Sequence, residues 1–209
     1  MKLAKTLICA ATLACAGAGS HALAQNIDWT GVDRRGKEWI ERSCAPVRDL
    51  GPSLYFPCIE RNLQAIRSPA AAIDLSKLGR DQRSWIERTC ASVRDLGPSL
   101  YYPCIERNVE AVNSPAARID LMKLSQDQRS WIERSCGTVR DLGPSFFYPC
   151  IERNVQAVNS PAARIDLTKL SRDQRSWIER SCATVRDLGP SLYYPCVERN
   201  VQAIKDGAQ

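Results

Sequence analysis

The chain has 209 residues, 44% of them hydrophobic and 25% charged, which is the chemistry of a folded globular protein and excludes disordered, fibrous and low-complexity classes. Lys+Arg 29 against Asp+Glu 23 gives a net charge of +6, too mild an excess to call for nucleic acid. The one histidine, His21, falls in a segment expected to be removed, which would leave the mature chain without an imidazole for general-base or metal chemistry.

Residues 1–24 carry the three parts of a secretory signal: Lys2 and Lys5, an apolar run from Leu7 to about Ala18, and small residues ending Ala22-Leu23-Ala24. Cleavage after Ala24 is expected, delivering the chain to the periplasm or the exterior. The apolar run is about a dozen residues, short of the ~20 that span a bilayer, and no later stretch approaches that length. A second reading takes Thr12-Leu13-Ala14-Cys15 as a lipoprotein box with Cys15 acylated. Thr12 stands where an aliphatic residue is usual, and the Ala-Leu-Ala site is the cleaner match.

Beyond the leader lie eight cysteines: Cys44, Cys58, Cys90, Cys104, Cys136, Cys150, Cys182 and Cys196. An even number in an exported chain reads as disulfides. They fall in pairs 14 apart that recur every 46 residues, the mark of an internal repeat. The units are 25–77, with an atypical start at Asp33-Arg34-Arg35-Gly36 and an extra Trp29, then 78–123, 124–169 and 170–209. Units 78–123 and 124–169 differ at nine of 46 positions, so the chain is one element used four times.

Within the last unit, Ser171-Arg172-Asp173-Gln174 has the form of a capping box and predicts a helix start. Ile178, Cys182 and Val185 follow at helical spacing as one apolar stripe, and the helix should stop near Leu188-Gly189, before Pro190. A second helix is expected to take Ser191 as its cap and to run through Val197, Val201 and Ile204, with Pro195 tolerated close to its start. Gly189 is the midpoint of Cys182 and Cys196, as Gly51, Gly97 and Gly143 are of their pairs, and residues equidistant from a hairpin turn lie side by side. The pairing is therefore Cys44–Cys58, Cys90–Cys104, Cys136–Cys150 and Cys182–Cys196. The fold class is all-α: a tandem array of four disulfide-stapled antiparallel helical hairpins. Between hairpins, Ile165, Leu167 and Leu170 alternate with polar residues as in an extended strap laid in an apolar groove.

Several recurring residues invite a functional reading. Trp39, Trp85, Trp131 and Trp177 could form a ligand platform, but filling a small core is the favoured role. The doublets Tyr55-Phe56, Tyr101-Tyr102, Phe147-Tyr148 and Tyr193-Tyr194 exchange Phe for Tyr at either position, which favours packing over hydroxyl chemistry. Glu179, Asp187 and Glu198 each sit beside an arginine, Arg180, Arg186 and Arg199, and read as salt-bridged surface, not an acid–base pair. No catalytic, cofactor or metal site is expected: the cysteines are spoken for, and phosphate loops and nucleophile elbows are absent. Arg83, Arg129 and Arg175, with Arg88, Arg134 and Arg180, repeat at 46-residue intervals and could align as guanidinium rows for a polyanion or an acidic protein face.

At Gln174-Arg175-x-Trp177, followed by Cys182, Cys196, Arg199 and Ile204, the unit resembles over about 30 residues the LprI-type lysozyme-inhibitor family of small exported bacterial proteins. It is also similar to proteobacterial envelope repeats containing Gly-Pro-x-x-Tyr-x-x-Cys. The resemblance implies a periplasmic, non-enzymatic binding role, with inhibition of a cell-wall hydrolase as its leading form. The expected partner is an envelope protein or an acidic polymer, and the rival is a structural spacer.

Overall fold

The structure is a computed structural model that describes residues 27–207. The signal peptide, its cleavage site and the lipoprotein alternative at Cys15 lie outside the described residues. Those residues form α1 (Arg34–Arg48), α2 (Pro52–Ile66), α3 (Arg80–Arg94), α4 (Pro98–Asn113), α5 (Gln126–Arg140), α6 (Pro144–Asn159), α7 (Arg172–Arg186) and α8 (Pro190–Gly207), and contain no strand. None of these helices is long and apolar enough to cross a membrane.

Side-chain capping marks where three of the four hairpins begin; the second starts at Gly79, which has no side chain to offer. Ser125 and Ser171 accept from the backbone of Gln128 and Gln174, whose side chains reach back to the serine amides. In the first unit, Asp33 performs this task alone, accepting from Gly36 N at 2.7 Å. The second helices start differently from expectation. Their cap is the turn glycine, Gly51, Gly97, Gly143 or Gly189, with φ between 103° and 115°, a region that residues with a Cβ rarely enter. The proline after it opens the helix, where no amide is needed. Ser191 is therefore the second helical residue, and Pro195 lies beyond the first turn.

The four predicted disulfides close the hairpins, with Cα atoms 5.8–5.9 Å apart. Around each bridge sits a small core: Ile40, Cys44, Ile59 and Leu63 in the first hairpin, and Ile178, Cys182, Val197 and Val201 in the last. The straps dock, but not in extended form. Each makes two 3-10 turns, Pro161–Arg164 and Leu167–Lys169 in the last, the second capped by Asp166 accepting from Thr168 N. Ile165, Leu167 and Leu170 pack on the hairpin that follows, as Ile73, Leu75 and Leu78 do on theirs. Ile27, Trp29 and Val32 hold the same places on the first hairpin, which explains the extra tryptophan. Lys37 lies 5.1 Å over its ring, and Arg67 holds the segment down through the carbonyls of Asp28 and Thr30.

Hairpins also pack on each other. Helices α2, α4, α6 and α8 contact in succession, so the units form a single-file stack and not beads on a string.

Candidate functional site

The repeated joint between hairpins gathers most of the residues singled out in the sequence. Trp39, Trp85 and Trp131 do not fill the core of their own hairpin. Each indole reaches across to the next one and donates to the carbonyl ending its first helix: Trp39 to Arg94 O at 2.9 Å, Trp85 to Arg140 O at 3.2 Å and Trp131 to Arg186 O at 2.8 Å. That carbonyl also accepts from the turn glycine's amide, Gly97, Gly143 or Gly189 N, at 3.1–3.2 Å, so the indole takes its second lone pair and ties the next hairpin's turn to the one before. The ring is met edge-on by both members of the next hairpin's aromatic doublet, as at Trp131, whose centroid lies 5.5 Å from Tyr193 and 5.7 Å from Tyr194. Burial in the joint pushes the phenols of Tyr102, Tyr148 and Tyr194 above their ordinary range.

A second set of bonds locks the joint at its centre. Asn154 donates to Cys150 O at 2.9 Å within its own helix and accepts from Ser191 N, in the next hairpin, at 2.9 Å. Asn62 and Asn108 do the same with Ser99 and Ser145. All three are 2% exposed. The amide that each receives is one of the unpaired donors at a helix N-terminus, so one hairpin caps the next. Contact here is too close for any side chain at the turn glycine. A Cβ on Gly143 would stand 2.5 Å from Thr89 Cγ2 and 2.8 Å from Asn108 Oδ1.

Beside each joint opens a cleft, of about 800 Å³ at Trp39, 670 Å³ at Trp85 and 860 Å³ at Trp131. The third is lined by Trp131, Tyr193 and Tyr194, by Arg134 and Arg186, and by Asp127 and Asp187. The second repeats the pattern with Trp85, Tyr148, Arg88, Arg140, Asp81 and Asp141. Two arginines and two aspartates thus line each of these two clefts together with aromatic surface. No group of three or more His, Cys, Asp or Glu able to hold a metal occurs among the described residues.

The predicted arginine rows separate into two sets. Arg88 and Arg134 line clefts, and Arg180 holds the same position at the open end, donating to Ser176 Oγ at 2.6 Å. Arg83, Arg129 and Arg175 are half-buried and line none of the three clefts; Arg129 reaches the Met122 sulfur, and the hydrogen bonds from Thr168, with smaller help from Lys169 and Arg175, hold Asp166 below the usual carboxylate range. The expected salt bridges of Glu179, Asp187 and Glu198 with their sequence neighbours do not form among the described residues. Adjacent helical residues point about 100° apart, and the pairs present within helices, Arg34–Glu38 and Lys37–Glu41, are spaced by four.

Sequence reasoning missed the asparagines. Their signal was a polar residue, four after each second cysteine, set between apolar core positions such as Ile59 and Leu63.

These features define a stacked array of disulfide-stapled helical hairpins, joined by a tryptophan and an asparagine from each unit to the next. No family model, no curated protein and no solved structure matches the chain.

Proposed function

We propose that the protein is an exported, non-enzymatic, multivalent binding module of the bacterial envelope, and that its three clefts hold successive units of an acidic glycan strand. The observation that carries this reading is the triplicated cleft, lined by a tryptophan and its aromatic neighbours together with arginines and aspartates. Aromatic faces suit sugar rings, guanidinium groups suit carboxylates in bidentate geometry, and aspartates accept from hydroxyls. The two aspartates in each cleft, beside two or three arginines, favour such a mixed ligand over a bare polyanion, which would meet Asp127 and Asp187 as well as the arginines. Three weak contacts on one chain raise avidity without any single tight site. A strand covered in this way would also be shielded from a cell-wall hydrolase, the route by which the inhibitory role implied by the LprI-type resemblance would operate.

Binding to alginate and to peptidoglycan strands of graded length tests the proposal. Affinity should rise with strand length and fall stepwise as Arg88→Ala, then Arg134→Ala, are introduced. The arginine-to-alanine changes at 83, 129 and 175 should matter little. Equal retention of the wild type and the Arg88→Ala/Arg134→Ala double variant would remove the clefts as the binding site, and no retention of either would support a structural spacer instead.

A further inference from the structure

We propose that the protein associates head to tail with further copies of itself, through a joint that repeats the three within the chain. Each internal joint has a back half, given by one hairpin's tryptophan, small hydroxyl residue and asparagine. Its front half is the next hairpin's Gly-Pro-Ser turn and aromatic doublet. Among the described residues, one copy of each half is left without a partner.

At the back of the last hairpin, Trp177 is 51% exposed, whereas Trp39, Trp85 and Trp131 are partly covered. Ser181 is exposed where Ser43, Thr89 and Ser135 are partly covered, and Asn200 bonds to Cys196 O with no further hairpin to cap among the described residues. At the front of the first hairpin, Pro52 and Ser53 are exposed, whereas Pro98, Pro144 and Pro190 are fully buried. A Cβ on Gly51 would meet nothing within 4 Å, against contacts under 3 Å at each of the other three turn glycines. The carbonyl of Arg48 occupies the place of those that accept from an indole in the internal joints.

End units of repeat arrays ordinarily carry a polar outer face that stops the stack. Here both outer faces keep the residues of the internal joint, so the halves are complementary by the same geometry already realised three times. Such a contact is heterologous: it uses each half once and continues into an open filament unless the rotation closes a ring. No strap tethers the two copies, so the joint forms at a lower effective concentration than its internal counterparts and depends on protein concentration. The joint would also complete a fourth cleft around Trp177 and Arg180. Self-association stands on the exposed halves alone and does not depend on the ligand proposed above.

The test uses the purified chain, as its host cell processes it, in sedimentation equilibrium over a concentration series. The weight-average mass should climb above that of one chain. Pro52→Glu blocks the front half and Ser181→Glu the back half; both positions are exposed, and circular dichroism checks that helix content is retained. Each variant alone should remain at the mass of one chain. An equimolar mixture should reach twice that mass and stop, because one good back and one good front remain. A wild type that stays at one-chain mass throughout, variants that still polymerise, or a mixture that does not pair would overturn the proposal.

Discussion

Asn154 and Asn200 are the same residue in the same local sequence, yet their contributions should differ. Replacing Asn154 by alanine leaves the Ser191 amide and the Cys150 carbonyl of a buried joint without their partner, which costs about 2 kcal/mol. Asn200→Ala removes one backbone bond and the weak contacts to the disulfide sulfurs at an open end, leaves no buried amide of another hairpin unpaired, and should cost less than about 1 kcal/mol, so thermal melts of the two variants should separate clearly. The joint tyrosines predict a pH dependence. Burial raises the phenol pKa of Tyr102, Tyr148 and Tyr194 in the folded state above the ordinary phenol value of about 10, so their contribution is fully present below that value and is lost as pH rises past it. Denaturation midpoints should fall in that alkaline range, and replacing the three tyrosines by phenylalanine should flatten the fall; an unchanged slope would contradict the assignment. At this level the sequence was half legible. Cysteine partners follow from symmetry about the turn glycine, whereas the asparagine's role depends on which amide a neighbouring hairpin presents.

Each hairpin is two helices of about four turns around a core of four buried residues, too little to be stable without a covalent aid. A disulfide closing a loop of about 15 residues contributes roughly 3 kcal/mol, mainly by restricting the unfolded chain. Reduction should therefore lower the melting temperature sharply and expose the tryptophans, read by fluorescence; a melt unchanged by reductant would contradict the role given to the bridges. First-helix boundaries were readable because Ser-x-x-Gln capping and the apolar stripe are local signals. Second-helix starts were misassigned to Ser191 because glycine at φ near 110° followed by proline already begins the helix, and the serine amide is satisfied from outside. The straps read as extended because Ile165 and Leu167 alternate with polar neighbours; Ser-Pro and Asp166 instead set short 3-10 turns that present the same side chains inward.

Stacking converts four marginal hairpins into one body. Units of such an array gain stability from their neighbours, so an interior lesson should spread: Trp85→Ala should weaken the hairpins on both sides of its joint, whereas Trp177→Ala should leave the dilute monomer's melt almost unchanged. The order of the stack was not readable from composition, because the tryptophan pattern is equally consistent with a core residue. Only the position of the next hairpin's Arg140 carbonyl and aromatic pair shows where the indole goes. The most direct test of hairpin-to-hairpin capping is amide hydrogen exchange at the four serines after the turn prolines, measured by NMR in dilute solution. Ser99, Ser145 and Ser191, each bonded to the asparagine of the preceding hairpin, should exchange slowly, and Ser53, with no hairpin before it among the described residues, should exchange fast. Equal exchange at all four serines would mean that the hairpins do not cap one another.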